Sequence, residues 1–203
     1  MDIIDVVTQR NFPSIPIPLR GPFTRSEKHG ERLLIGSNGI FLEVSRAWCY
    51  LVRQIASYSV STPIPYGEGA EATEFSCGAI PLGLVSEFVR MARQACPLET
   101  AAFISWDEKT HEYALHPAKL NVQTDSFLSY DPPQLSRDQH LVIDLHSHGR
   151  DRAYYSGEDD SDDETYVKIA IVVGNCDQDE PSYVSRLCAK GIFEILSQGK
   201  VCS

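Results

Sequence analysis

Residues 144–159 read DLHSHGRDRAYYSGED, which places His146, His148, Ser156 and Asp159 within one short stretch. The run before it, His140 to Leu145, is apolar with β-branched members and polar on both flanks, the pattern of a buried strand. Two side chains two positions apart on an extended strand point to the same face, so the strand delivers both imidazoles together. Gly149 ends the strand, residues 150–155 read as loop, and Ser156-Gly157-Glu158-Asp159 reads as a helix entry in which Ser156 can cap free N–H groups. Asp159 can then close on the histidines. Two nitrogens and one oxygen are three protein ligands for Zn²⁺ with a fourth position open to water, the arrangement of a catalytic rather than a structural site. A lone His-x-His pair is ambiguous between ligand and core residue; a serine and an aspartate at this spacing after a buried strand narrow it to metal binding.

A second feature lies upstream. Leu84, Val85, Phe88, Met91, Ala92 and Ala95 recur at helical spacing, Pro81 suits a first-turn position, and the helix must stop before Pro97. Cys96-Pro97-Leu98-Glu99 then leads into the apolar strand that follows Thr100. A glutamate at the mouth of a buried strand reads on structural grounds as a capping or ion-paired carboxylate.

Pro-x-Glu after a helix, then His-x-His, seven residues, Ser, two residues and Asp, resembles the signature of the JAMM (MPN+, JAB domain) zinc metalloproteases. The interval of 47 residues from Glu99 to His146 suits the compact prokaryotic members. The resemblance runs from about Leu82 to the C-terminus. It implies that His146, His148 and Asp159 hold Zn²⁺, that Glu99 is the general base on the attacking water, and that Ser156 hydrogen-bonds the tetrahedral oxyanion. It also implies a substrate: a peptide or isopeptide bond at the C-terminus of a ubiquitin-like protein or its conjugate. One departure is Thr100-Ala101-Ala102-Phe103 where the family often has a Gly-rich strand, which bears on substrate fit rather than on metal chemistry. More narrowly, the N-terminal extension with DLHSHG, YYSGEDDSDDE and IVVGN resembles the A proteins of the PRTRC cassette, a mobile-element gene set that also encodes a ThiF-like activating enzyme. That enzyme is the second partner implied.

Composition sets bounds on the rest. A chain of 203 residues with 42% hydrophobic content suits one domain, or one with a smaller companion. A net charge of −10 argues against nucleic acid and against an anionic membrane surface as partners. Cysteines 49, 77, 96, 176, 188 and 202 show no C-x-x-C and read as small core residues in a reducing compartment. No apolar run reaches membrane-spanning length, and the N-terminus lacks a basic signal-peptide region, so a soluble cytoplasmic protein is expected.

The expected architecture is α/β: a JAB/MPN-like mixed sheet flanked by helices over 81–203, preceded by a small β-rich region over 1–80. Within that region, residues 1–30 are punctuated by four prolines and read as extended or irregular chain. Leu33–Ile35 and Ile40–Val44 read as a hairpin through Asn38-Gly39, Trp48–Ile55 as a strand and Ser61–Thr73 as a loop near a domain boundary. Downstream, Glu112–Leu115, Lys168–Val173, Tyr183–Lys190 and Gly191–Leu196 read as strands, and Asn121–Gln134 as a polar loop on the substrate side. Glu158 to Glu164 holds six acids in seven residues, expected, apart from Asp159, to be a solvated helix start. His29, His111, His116 and His140 read as surface or strand-end residues, and Tyr154 and Tyr155 as packing for the motif loop.

Two rivals were weighed. DLHSH after a strand also resembles the opening of PHP-type phosphoesterases and amidohydrolases, but those barrels need many later His and Asp ligands. Only 55 residues follow His148, and none is His. A non-catalytic MPN-like scaffold usually lacks the ligands that stand here; zinc content separates it from an enzyme.

Overall fold

The computed structural model describes residues 2–201; Met1, Cys202 and Ser203, and with them the core reading of Cys202, lie outside the described residues. The chain divides into two compact units, Met1–Gly78 and Ala79–Ser203.

In the first unit α1 (Ile3–Asn11) is followed by β1 (Ser14–Pro16), β2 (Gly30–Ile35), β3 (Ile40–Ser45), β4 (Cys49–Ala56) and β5 (Ala72–Phe75), which form one five-stranded sheet in chain order. β1 and β2 are parallel and the rest antiparallel. Ile17, Leu34, Phe41 and Val52 form a core cluster with Ile15, Phe23, Tyr50 and Ala72 packed against it. Buried Glu43 is paired with Arg32 and accepts from Tyr50 Oη at 2.8 Å. The reading of 1–30 as extended or irregular chain is corrected at α1, while β1 is extended as expected. Asp2 caps α1, its side chain accepting from the Ile4 N–H at 2.8 Å, and the prolines begin only after the helix has ended. β1 tolerates Pro16 because it is an edge strand, where one side needs no ladder bond.

The second unit is a six-stranded mixed sheet in the order β13-β12-β11-β10-β6-β7, with two helices and a separate hairpin. Its strands are β6 (Ala101–Asp107), β7 (Tyr113–Pro117), β10 (Gln139–Ser147), β11 (Val167–Gly174), β12 (Ser182–Ala189) and β13 (Ile192–Lys200). Only the central pair, β10 with β11, is parallel, and α3 (Gly157–Asp163) lies in that crossover. β6 and β11 are buried almost along their whole lengths and β10 from Val142 to Leu145, consistent with their apolar runs. α2 (Leu82–Ala95) starts after Pro81, packs on β6 and β10, and buries Phe88, Val89 and Ala92. This is the JAB-like mixed sheet flanked by helices.

The segment read as a polar loop, Asn121–Gln134, largely belongs to a hairpin of β8 (Lys119–Gln123) and β9 (Leu128–Asp131). The strands alternate polar and apolar residues but are only 5 and 4 residues long; beside the backbone ladder, Asn121 Nδ2 donates to Asp131 Oδ1 at 2.9 Å, and Thr124 N–H closes the turn on Phe127 O at 2.9 Å. The acidic run is corrected at one residue. Glu158, Asp160, Asp162 and Glu164 are exposed, as expected of a solvated helix start, but Asp163, 5% exposed, pairs with Lys168 and Arg186, and Asp160 also pairs with Arg186.

Two glycines fix how the motif loop meets its neighbours. Gly149 has φ 51°, and a Cβ there would lie 2.3 Å from the carbonyl oxygen of Pro97. A Cβ on Gly174, at the end of β11, would lie 2.3 Å from both Ala153 N and Asp151 O. Backbone therefore passes against backbone on both sides of the loop, and the His148 N–H to Val173 O bond of 2.9 Å holds the approach. Gly149→Ala combines a left-handed φ with a backbone clash. The expected loss is about 1–3 kcal/mol of stability in urea unfolding, and an unchanged midpoint would contradict this account of the loop.

Candidate metal centre

β10 places His146 on the ladder between Ala101 of β6 and Val172 of β11. His148 follows one residue past the strand end, and both imidazoles are largely buried. Asp159 is the third residue of α3, and a capping box fixes its carboxylate. Ser156 N–H and Ser156 Oγ each donate to Asp159 Oδ2 at 2.7 Å, while Asp159 N–H donates to Ser156 Oγ at 3.2 Å. The other carboxylate oxygen, Oδ1, is thereby left toward the histidines, 3.1 Å from His146 Nε2. His146 Nε2 and His148 Nε2 are 3.1 Å apart, and the second histidine is 3.9 Å from Asp159 Oδ2.

These donor atoms lie within 4.8 Å of one another, the one such group among the described residues. Two imidazole nitrogens facing each other at 3.1 Å can share at most one proton, a poor contact unless something else receives the lone pairs. Around a zinc with ligands at 2.0–2.1 Å, the edge of a tetrahedron is about 3.3 Å. The spacing and chemistry of the donors therefore fit a small, borderline-soft divalent ion. Burial, with the charge of His146 added, holds His148 well below the usual histidine range, at about 4, so its Nε2 lone pair is available at neutral pH. For His146, burial alone acts downward but the bond and charge of Asp159 outweigh it and raise its pKa. Asp159 is held below the ordinary carboxylate range, since bonds from His146 and Ser156 more than offset its burial.

Glu99 lies just before β6, and its main chain is laced to the hairpin. Its N–H donates to Thr124 O at 2.8 Å and its carbonyl accepts from Gln123 Nε2 at 2.7 Å. The next residue is tied to the metal strand, Thr100 N–H to Ser147 Oγ at 3.0 Å and Ser147 N–H to Thr100 O at 2.9 Å. The Glu99 side chain enters the same cleft of about 200 Å³ as His146, His148, Ser156 and Asp159. It is 9% exposed, and among the described residues no hydrogen bond or ion pair meets its carboxylate. Neither the capping nor the ion-pair reading of Glu99 describes it. Burial, opposed by the charge of His146 and aided by Asp159, pushes its pKa up to about 7. A carboxylate poised near neutrality beside a metal-donor set can both take up and give back a proton.

Of the other sequence candidates, three histidines make their contacts elsewhere and the two tyrosines pack the motif loop. His116 bonds Ser105 at 2.8 Å, His140 lies 3.0 Å from Glu108, and His111 packs on Trp106. Tyr154 stands edge-on to the His148 ring at 4.6 Å, and Tyr155 Oη donates to Ala170 O at 2.7 Å, so both pack the loop. Cys49, Cys176 and Cys188 are buried, Cys77 and Cys96 half-buried, and all five are free thiols. What the sequence reading missed is the ion cluster behind the site, Asp144, Asp163, Lys168 and Arg186, all buried. The available signal was a lone lysine in the apolar run Val167–Val173, with Asp144 two positions before His146.

Comparison with known proteins agrees with this architecture. Residues 2–76 match a family described as a domain of unknown function, DUF2016, and residues 81–188 match the prokaryotic homologs of the JAB domain. Neither description names a PRTRC protein. No curated protein matches. Among solved structures, a protein from Desulfitobacterium hafniense, determined in solution, is 17% identical over 56% of this chain and 85% of its own, with a TM-score of 0.43. No helix among the described residues is long and apolar enough to cross a membrane. The matched segment takes in Glu99, His146, His148, Ser156 and Asp159, and the chain belongs to the family of prokaryotic homologs of the JAB domain.

Proposed function

We propose that the chain is a zinc-dependent hydrolase that cleaves a peptide or isopeptide bond at the C-terminus of a ubiquitin-like protein. The observation that carries this reading is that Glu99, a largely buried residue whose carboxylate has no protein partner among the described residues, lines the same cleft as the His146, His148 and Asp159 donors.

His146 Nε2, His148 Nε2 and one Asp159 oxygen would hold the ion. Zn²⁺ at such a site supplies Lewis acidity, polarising the scissile carbonyl and lowering the pKa of a water to about 7. Glu99 accepts the proton of the attacking water on a carboxylate oxygen and delivers it to the leaving nitrogen, a contribution on the order of 10²–10⁴ in rate. Ser156 has two duties. Its hydroxyl caps α3 and orients Asp159, and when it turns from Asp159 Oδ2 it can donate to the developing oxyanion. The β8–β9 hairpin, through Phe127, Leu128 and Tyr130, walls the cleft where the substrate tail enters. A ubiquitin-like protein is what the family resemblance implies, and an activating-enzyme-like partner encoded in the same cassette is what the narrower resemblance to the PRTRC A proteins implies.

His146→Ala and Asp159→Ala are each expected to abolish stoichiometric zinc binding, read by elemental analysis, because two protein ligands leave an incomplete site. Stoichiometric zinc in either variant would assign the ion to other ligands. Glu99→Gln is expected to keep wild-type zinc while hydrolysis of a Gly-Gly-ending ubiquitin-like fusion, chosen from a small panel, falls by about 10² or more. Cleavage at the wild-type rate would make Glu99 a structural carboxylate. Ser156→Ala is expected to raise the barrier by roughly 2–4 kcal/mol and to lower stability by about 1 kcal/mol through the lost cap. A stability loss with unchanged hydrolysis would confine Ser156 to capping.

A further inference from the structure

Behind the donor set lies a buried lysine that the mechanism does not use. Lys168 Nζ is 2.6 Å from Asp144 Oδ2 and 2.6 Å from Asp163 Oδ1, and none of the three residues is more than 7% exposed. Asp144 stands two positions before His146 on β10, on the same strand face. Asp163 stands four positions after Asp159 on α3, one helical turn along the same side. One ammonium thus ties the strand that carries the histidines to the helix that carries the aspartate, at points adjacent to the ligands on each. The remaining oxygens are also held. Tyr130 Oη donates to Asp144 Oδ1 at 3.3 Å, and Arg186 donates to Asp163 Oδ2 at 2.8 Å, its guanidinium lying over Tyr155 at 3.7 Å and Phe193 at 4.1 Å.

α3 has seven residues, too few to be stable alone, so its position depends on what it touches. Its hydrogen-bonded cap at Ser156 orients Asp159 within the helix but does not place the helix against the sheet. Besides the His146–Asp159 pair itself, the contacts that do so near the ligands are Asp163 with Lys168, Arg186 and Cys188, and Asp160 with Arg186. Of these partners of Asp160 and Asp163, Lys168 is the one that also pairs with β10. Burial acts to lower its pKa, but the two carboxylates prevail and keep it charged, so it is no proton acceptor for the cleft.

We infer that Lys168 is a positioning residue for the metal centre: by bridging Asp144 and Asp163 it sets the separation between the histidines of β10 and Asp159 of α3. The inference rests on the metal-hydrolase reading above and deepens it. Partners that orient metal ligands from behind typically carry 10–100-fold in metal affinity, and this bridge acts on all three ligands through the elements that bear them.

The test is zinc affinity, measured by competition with a chelator on the full chain, with thermal unfolding of the zinc-free protein alongside. Lys168→Met alone leaves two buried carboxylates with one cation fewer and can fail to fold. The deciding variant is therefore Lys168→Met combined with Asp144→Asn, which removes one charge of each sign and leaves the Asp163–Arg186 pair intact. Replacing a buried ion pair by neutral groups is often neutral or stabilising, so the zinc-free double variant is expected to melt at or above the wild-type temperature. Its zinc dissociation constant is expected to rise about 10–100-fold. Wild-type affinity in the folded double variant overturns the positioning role and leaves the metal reading standing. Loss of fold in the double variant assigns the pair to the core and equally overturns it. A wild-type chain that takes up no zinc overturns the metal reading and the role of Lys168 with it.

Discussion

From Ile143 to Ser147, past a register shift at Leu141/Ile143, successive side chains of β10 point to opposite faces between β6 and β11, and over this stretch no slip of register is tolerated. Ile143 and Leu145, fully buried, take one face; Asp144 and His146 are forced onto the other. A shift by one residue would bury an aspartate and an imidazole in the apolar layer. The apolar half of the strand thus fixes where its polar half points, and the candidate site is built on that polar face. Gly149 and Gly174 continue the constraint past the strand end, because only backbone without a Cβ passes Pro97 and the motif loop at these distances.

The face that results holds two kinds of buried charge. Asp144, Lys168, Asp163 and Arg186 are mutually paired, which makes their burial tolerable. Glu99 has no such partner and sits with its pKa near 7 in the cleft of the three donors. The contrast divides labour between the groups. The paired ions fasten a short helix to a sheet, while the unpaired carboxylate keeps its capacity to exchange a proton.

The site was legible in the sequence to the extent that it depends on local pattern. His146 and His148 follow an apolar run, Ser156 and Asp159 open a helix, and Glu99 sits between a helix end and a strand. Each of these is a short-range signal, and the hairpin at Asn38-Gly39 and helix α2 are of the same kind. The ion cluster was not legible, because Lys168 meets Asp144 and Asp163 only once three elements are assembled; in the sequence Asp163 is one more acid in a run of six. α1 was missed for a different reason. Its β-branched residues Ile3, Ile4, Val6 and Val7 do not favour helix, no residue of it is buried, and the side-chain cap of Asp2 is the local feature that marks its start. β8 and β9 escaped although Lys119-Leu120-Asn121-Val122-Gln123 and Leu128-Ser129-Tyr130-Asp131 alternate polar with apolar residues, because strands of 5 and 4 residues in a segment broken by Pro132 and Pro133 give too short a period to stand out.

The central claim is that one ion sits between His146, His148 and Asp159 with Glu99 close at hand. Anomalous diffraction at the zinc edge from crystals grown with zinc tests it most directly. The account predicts a single strong peak within about 2.0–2.2 Å of His146 Nε2, His148 Nε2 and an Asp159 oxygen, with the Glu99 carboxylate near enough to reach the ion's open position directly or through one water. A peak on other residues, no peak at all, or a Glu99 carboxylate more than about 8 Å from the ion, too far for a base acting through one water, would contradict it.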